Sequence, residues 1–263
     1  NYVLLNGGSR KYKYDKLKNQ YELSSAAKKI QIENTLIDVY TTFFNVARNQ
    51  EQKTTLLEAY NISKERLDRV TAEQKYGQKT TLDILNAQVD ANADSITLIN
   101  LSIQLQNSIR NLNFLLGREI NTRFTASKEV NLDENLNYEV LLQQLKSENN
   151  QLKQMEINKS ISEQDLKINR AGWLPSVSTS LGYGINYADN GPAGFFAVQQ
   201  SNGLNAGLSL SWNIFDGGAT KVRVQNAKIA LKTQELNAQK LSLSLENQLA
   251  TFWAEYNTQK LII

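Results

Sequence analysis

The 263-residue sequence carries 29 Lys+Arg against 26 Asp+Glu, a formal net charge of +3 that is too small to argue for a nucleic-acid partner. It has neither Cys nor His, which removes disulfides, thiolate and imidazole metal sites, cysteine nucleophiles, Ser-His-Asp triads and any near-neutral proton switch. No apolar run reaches the roughly 20 residues of a membrane-spanning helix. No cofactor or metal is expected, and the only catalysis left open is carboxylate-based.

The chain opens on Asn1-Tyr2-Val3-Leu4-Leu5, which reads as the end of a strand rather than a leader peptide. Residues 1–8 are therefore expected to be a strand end and an Asn-Gly-Gly turn belonging to a truncated first unit. From Ser9 to Ala171 the only glycines are Gly77 and Gly117, and both prolines, Pro175 and Pro192, come later. A breaker-poor stretch rich in Leu, Lys, Gln, Glu and Ala favours long helices. The first is expected from about Ser9 to Tyr76, roughly 65 residues and ~100 Å at 1.5 Å per residue. Gly77 supplies the left-handed residue that ends it. Thr80-Thr81-Leu82-Asp83 then restarts the chain as a capping box, with Thr80 as N-cap and Asp83 at the third helical position. The second helix runs to about Leu116, so 9–117 forms a long helical hairpin with its tip near 76–81. A polar linker, 118–135, and a third helix from about Leu136 to Arg170 (segment 136–171) follow. The second and third helices together match the first in length and could stack antiparallel along it, which favours an elongated assembly over one globular core.

The apolar positions repeat on two faces of each helix. In the second helix, Leu82, Leu85, Val89, Ile96, Ile99 and Ile103 follow alternating steps of three and four, with Asn92 in the gap. Leu98, Leu101, Leu105, Leu112 and Leu115 form another such seam, interrupted at Ser108. The first helix has the paired series Leu36-Val39-Phe43-Val46 and Ile37-Tyr40-Phe44-Ala47. Two seams mean neighbours on two sides, as in the wall of an α-barrel or in a bundle core.

After Arg170 the period changes to two. From Ser176 to Tyr187 the odd positions are Val177, Thr179, Leu181, Tyr183, Ile185 and Tyr187, while the even positions are Ser, Gly or Asn. A loop is expected over 188–203, carrying Asn190-Gly191-Pro192. Alternation resumes with Leu204, Ala206, Leu208, Leu210, Trp212 and Ile214 on one face. Each strand, about 11 residues, has the length of a tilted transmembrane β-strand, within a hairpin over 174–216. The lipid-facing set is Val177, Leu181, Tyr183, Ile185, Tyr187, Leu204, Leu208, Leu210, Trp212 and Ile214. A soluble β-sandwich hairpin alternates in the same way, but the opposite face here is uniformly small, polar and uncharged. Open edges are forbidden in lipid, so such a hairpin has to close a barrel with other chains.

The segment Leu5-Asn6-Gly7-Gly8-Ser9-Arg10-Lys11 is echoed by Phe215-Asp216-Gly217-Gly218-Ala219-Thr220-Lys221, each between an apolar strand end and a long helix. Further on, Glu33-Asn34-Thr35-Leu36 matches Glu246-Asn247-Gln248-Leu249. This duplication makes 217–263 a second long helix of the first kind. Two charge patterns stand out. Asp83, Asp90 and Asp94 fall within about 40° of one another at 100° per residue, a stripe that reads either as a solvated face or as the lining of a cation-selective lumen. Arg10, Lys11 and Lys13, echoed by Lys221 and Arg223, sit where strand becomes helix. Cations there oppose the macrodipole, and anchoring at a lipid interface by snorkelling would account for them.

Three segments, in this order and spacing, resemble the TolC-like outer membrane efflux protein family, over nearly the whole chain. They are Leu210-Ser211-Trp212-Asn213-Ile214-Phe215-Asp216-Gly217-Gly218, Arg170-Ala171-Gly172-Trp173-Leu174-Pro175-Ser176, and the turn from Tyr76-Gly77-Gln78 to Asn86-Ala87. The resemblance implies a mainly α chain with a transmembrane β-hairpin, truncated at both ends. Its long antiparallel coiled-coil helices would form an α-barrel wall continuous with a 12-stranded β-barrel shared between three chains. It further implies an outer-membrane exit duct of a tripartite efflux or type I secretion system in a Gram-negative bacterium, with its helices in the periplasm. Expected partners are two further copies, a periplasmic membrane-fusion adaptor, an inner-membrane pump and outer-membrane lipid. By the same resemblance Tyr76, Gly77 and Gln78 would meet the adaptor and Asp83 would help to hold a closed aperture. The competing class is a soluble structural coiled-coil or adaptor protein with a β-hairpin cap, which leaves the alternation of Val177 to Tyr187 unexplained. A carboxylate hydrolase finds no pair of acids gathered in an apolar pocket.

Overall fold

The computed structural model describes residues 1–127, 136–189 and 198–262. The expected Asn190-Gly191-Pro192 turn and the latter part of the polar linker, 128–135, lie outside the described residues. The chain divides into two compact units, Asn1–Ile30 with Asn135–Ile263, and Gln31–Glu134.

Helix α1 spans Ser9–Lys75 and α2 spans Thr81–Leu115. α1 ends in a Schellman turn: Gly77 adopts φ +74°, its N–H donates to Gln74 O (2.9 Å) and the N–H of Gln78 donates to Glu73 O (3.0 Å). No neighbouring atom would touch a Cβ at Gly77, so the left-handed backbone alone demands glycine there. Within the second unit the helices pair antiparallel. Asn49 Nδ2 donates to Ser108 Oγ (3.3 Å), Ser63 Oγ to the Asp94 carboxylate, and Arg66 Nη1 to Asp90 Oδ2 (3.2 Å), each pair straddling the turn near residue 78. Val46, Leu105, Leu112 and Ala126 form the core of this unit, with Phe43, Ile109 and Phe124 against it.

The first unit contains α3 (Tyr138–Glu148), α4 (Asn150–Arg170) and α5 (Ala219–Ile262). The single third helix expected from about Leu136 to Arg170 is therefore two. Asn149 leaves the helical region (φ −59°, ψ 121°) and its Oδ1 accepts from the N–H groups of Gln151 and Leu152, capping α4. An asparagine that satisfies helix-start donors competes with continuation of the helix through it. Leu166 of α4 packs on Val224 and Ala227 of α5.

Strands β1 (Tyr2–Asn6), β2 (Ser176–Asp189) and β3 (Val198–Ser211) form an antiparallel sheet with β2 central. β2 and β3 each run 14 residues, longer than the eleven expected, so Ala188, Asp189 and 198–203 are strand rather than loop. Gln199, Gln200, Ser201 and Asn202 show no hydropathy alternation, and backbone pairing alone places them in the ladder. At the other end Trp212 and Ile214, expected in the strand, lie beyond it. Ser211 pairs with Ser176, and the residue before Ser176 is Pro175, which has no N–H to continue the ladder. The Trp212 Nε1–H instead donates to Trp173 O (3.1 Å). Among the described residues no helix is long and apolar enough to cross a membrane.

Candidate functional site

The sheet sorts its side chains by register. Val177 faces Leu210, Thr179 faces Leu208, Leu181 faces Ala206 and Tyr183 faces Leu204. On the other face Ser178 pairs with Ser209, Ser180 with Gly207 and Gly182 with Asn205. Residues facing each other in an antiparallel ladder share a face, so the apolar residues of both strands form one continuous surface. That surface is bare in the single chain: Leu181, Tyr183, Ile185, Leu204, Leu208 and Leu210 are between 63% and 74% exposed. Tyr187 is also exposed, whereas Val177, flanked by Leu5 and Leu210, is half-buried. Ser178 and Ser209 hydroxyls meet at 2.8 Å across the polar face.

The two seams of α2 differ as sharply. Leu101, Leu105 and Leu112 are buried, while Leu82, Leu85, Val89, Ile96, Ile99 and Ile103 are between 53% and 66% exposed. On α1, Val39, Phe43, Val46 and Ala47 pack into the core, and Ile37, Tyr40 and Phe44 stay exposed.

At the tip, Tyr76, Gly77 and Gln78 are exposed, Tyr76 to 82%. Next to them, the Thr80 hydroxyl accepts the Asp83 N–H (3.2 Å), and Asp83 Oδ2 accepts from both the Thr80 N–H and the Thr80 hydroxyl (2.8 Å each). These bonds, led by the backbone one, hold the Asp83 carboxyl below its ordinary value, with Lys79 adding a smaller attraction. The acidic stripe does not stand free. Asp90 pairs with Arg66, and Asp94 accepts from Ser63, so both carboxylates also tie α2 to α1.

The basic residues divide in two. Arg10 folds back on β1, its guanidinium 4.6 Å from the Tyr2 ring centroid and bonded to Tyr2 Oη (2.9 Å) and Val3 O (2.6 Å). Arg223 turns to the helix cap, donating to Thr220 Oγ1 (2.5 Å) with Asp216 Oδ2 at 3.6 Å. Lys11, Lys13 and Lys221 are exposed. The duplicated junctions are alike in detail. Asn6 Oδ1 accepts from the N–H of Arg10 (3.1 Å) as Asp216 Oδ2 accepts from that of Thr220 (2.7 Å), four residues on in each case. Bonds from Thr220, side chain first, hold the Asp216 carboxyl below its usual value.

A strap after α2 has no counterpart in the sequence pattern. Asn113 Nδ2 donates to Ile120 O (3.0 Å) and Thr122 O (2.8 Å), and Gln50 bonds Phe124 O and the Ala126 N–H. Its one sequence signal is an asparagine directly after a seam leucine, Leu112.

The sequence matches the outer membrane efflux protein family over residues 1–118 and 141–260, and the chain belongs to that family. The family is one of transport channels of the Gram-negative outer membrane, not of enzymes. No curated protein matches the sequence significantly. Among solved structures it is similar to the outer membrane protein VceC of Vibrio cholerae (12% identity, TM-score 0.80), covering 97% of this chain and 60% of that one. A membrane protein from Pseudomonas aeruginosa gives 16% identity and a TM-score of 0.82, over 98% and 58%. The CmeC outer membrane channel of Campylobacter jejuni gives 18% and 0.78, over 97% and 55%. At these identities the likeness is one of fold, and the chain spans less than two thirds of each of these structures.

Proposed function

We propose that this chain is a subunit of a passive exit duct, in which three copies, each complete with four strands, share a 12-stranded barrel in the outer membrane. The observation that carries this reading is the bare apolar face of β2 and β3 opposite an uncharged Ser-Gly-Asn face. A wide barrel with hydrocarbon outside and water inside needs that division, and the free edges of β1 and β3 need closure before they can enter lipid. The exposed seam of α2 and the Ile37, Tyr40 and Phe44 stripe of α1 are the surfaces that neighbouring helices of an α-barrel wall would cover.

In this reading the duct belongs to a tripartite efflux or type I secretion machine driven by an inner-membrane pump. Tyr76, Gly77 and Gln78 offer an exposed, well-capped turn to a periplasmic adaptor. Asp83 contributes to the aperture while stabilising the start of α2, and Asp90 and Asp94 add negative potential to the lumen from their hairpin-bridging positions. Lys11, Lys13 and Lys221, which are exposed, snorkel to the lipid headgroups. Arg10 and Arg223 brace the junctions beneath them.

The test is reconstitution of the full-length protein. It should run as a trimer in detergent by native mass spectrometry and give discrete conductance steps in a planar bilayer. A monodisperse protein soluble without detergent, silent in bilayers, would overturn the reading. Charge reversal at Lys11, Lys13 and Lys221 should lower the membrane-inserted fraction, and unchanged insertion would remove their anchoring role.

A further inference from the structure

Each unit carries a groove of similar size, and the two treat charge differently. The groove beside α4 and α5, about 510 Å³, is lined by Lys146, Lys159, Glu156 and Glu235 among others. Its charges are neutralised locally: Lys146 pairs with Glu246 (3.3 Å), Lys159 with Glu156 (4.0 Å) and Lys232 with Glu235 (2.9 Å). The groove in the helical-hairpin unit, about 550 Å³, is lined by Lys53 of α1, Arg110 of α2 and Arg123 of the strap, and no described carboxylate lines it. None of these three forms an ion pair with a described residue. Among the described residues Arg110 donates only to the neutral Asn107 side chain, at 3.4 Å.

The groove also holds an apolar patch, beside the neutral Gln50, Ser102, Gln106 and Asn121. Leu105 is 8% exposed, and Ile109 and Phe124 pack against the same core. Its lip is held in place by Gln50 Nε2 on Phe124 O (3.4 Å), by the Ala126 N–H on Gln50 Oε1 (3.1 Å), and by Asn113 on Ile120 O and Thr122 O. Three cations brought to one groove by three separate segments repel one another, and solvent screens that repulsion without reversing it. A bound anion reverses it. An apolar patch beside three cations favours a molecule with one acidic group on a hydrophobic body.

We propose that this groove binds a small amphipathic anion, with its carboxylate, sulfonate or phosphate among Arg110, Arg123 and Lys53 and its ring system on Leu105, Ile109 and Phe124. The site goes beyond the channel reading and does not depend on it.

The test is calorimetric titration of the full chain with naphthalene-1-sulfonate, using naphthalene-1-sulfonamide as the uncharged analogue. Wild type should bind the sulfonate saturably at one site per chain, more weakly as salt rises. The double variant Arg110→Gln/Arg123→Gln should bind it at least about tenfold more weakly, the loss expected from removing charge-assisted hydrogen bonds. The sulfonamide should bind wild type more weakly than the sulfonate and be indifferent to the substitutions. Equal sulfonate affinity in wild type and variant overturns the proposal, as does the absence of saturable binding or an equal affinity for the sulfonamide. Far-UV circular dichroism checks that the double variant is folded, and the single variant Lys53→Gln supplies the same comparison if it is not.

Discussion

The two strand-to-helix junctions are nearly the same piece of backbone placed in different surroundings. Gly7 and Gly8 have φ of +63° and +81°, Gly217 and Gly218 +64° and +88°, and in both copies a side-chain oxygen at the residue before accepts the N–H four residues later. At the first junction a Cβ on Gly7 would lie 2.8 Å from Leu174 Cβ and 3.0 Å from Ala171 O, against the 3₁₀ turn that leads into β2. At the second, nothing would lie within 4 Å of a Cβ on Gly217. The acceptor is neutral Asn6 in one copy and the charged Asp216 in the other, and the nearby arginine follows: Arg10 goes to the strand, Arg223 to the cap. Duplication preserved the turn, while the 3₁₀ turn Ala171–Trp173 and the Leu174 that follows it decided whether glycine is required for its backbone alone or also for space.

That contrast is open to direct tests. Gly7→Ala should be the most damaging change, because it combines a left-handed alanine with overlap on Leu174. A loss of about 3 kcal/mol is expected, read as a depressed melting temperature of the purified protein in detergent. Gly217→Ala meets only the backbone penalty and should lose about 1–2 kcal/mol; equal effects at the two sites would abolish the distinction. Asp216→Asn, which turns the second junction into the first, should lower the melting point by less, by weakening the Thr220 bond and releasing Arg223.

The smallest effect concerns acid. The carboxyls of Asp216 and Asp83 titrate below the ordinary value of 3.8 in the folded chain. Their stabilisation is therefore complete above that value and disappears as pH falls through the lower folded values. Melting temperature should be flat from neutral pH to about pH 5 and decline below about pH 4. In Asp216→Asn this decline should be shallower, with the remainder coming from Asp83 and other carboxylates.

Features encoded by near neighbours along the chain are legible from the residues themselves. Gly77 and the box from Thr80 to Asp83 carry their meaning within four residues, and the Asn-Gly-Gly and Asp-Gly-Gly turns carry theirs within five. The helix break at Asn149 is not legible in this way, because an asparagine is tolerated within a helix and becomes a cap only once its side chain turns back on the following N–H groups. The strand ends are hidden for a different reason: Gln199 to Asn202 enter the ladder through backbone bonds, and Trp212 leaves it because Pro175 sits opposite. Of the site, the apolar face of β2 and β3 is readable from alternation. The positions of Arg10 over Tyr2, Asp94 on Ser63 and Asp90 on Arg66 are not, since each depends on residues that only folding brings together.

From Ser176 to Ala188 and from Gln199 to Ser211 neither strand carries a formal charge. A water column running along the Ser, Gly and Asn side would meet only small rotatable dipoles, with no fixed field to attract one sign of ion or exclude the other. In the proposed duct such a wall would be electrically indifferent, a sieve by width alone. Any preference for cations or anions would have to be imposed elsewhere along the route, where carboxylates and ammonium groups begin.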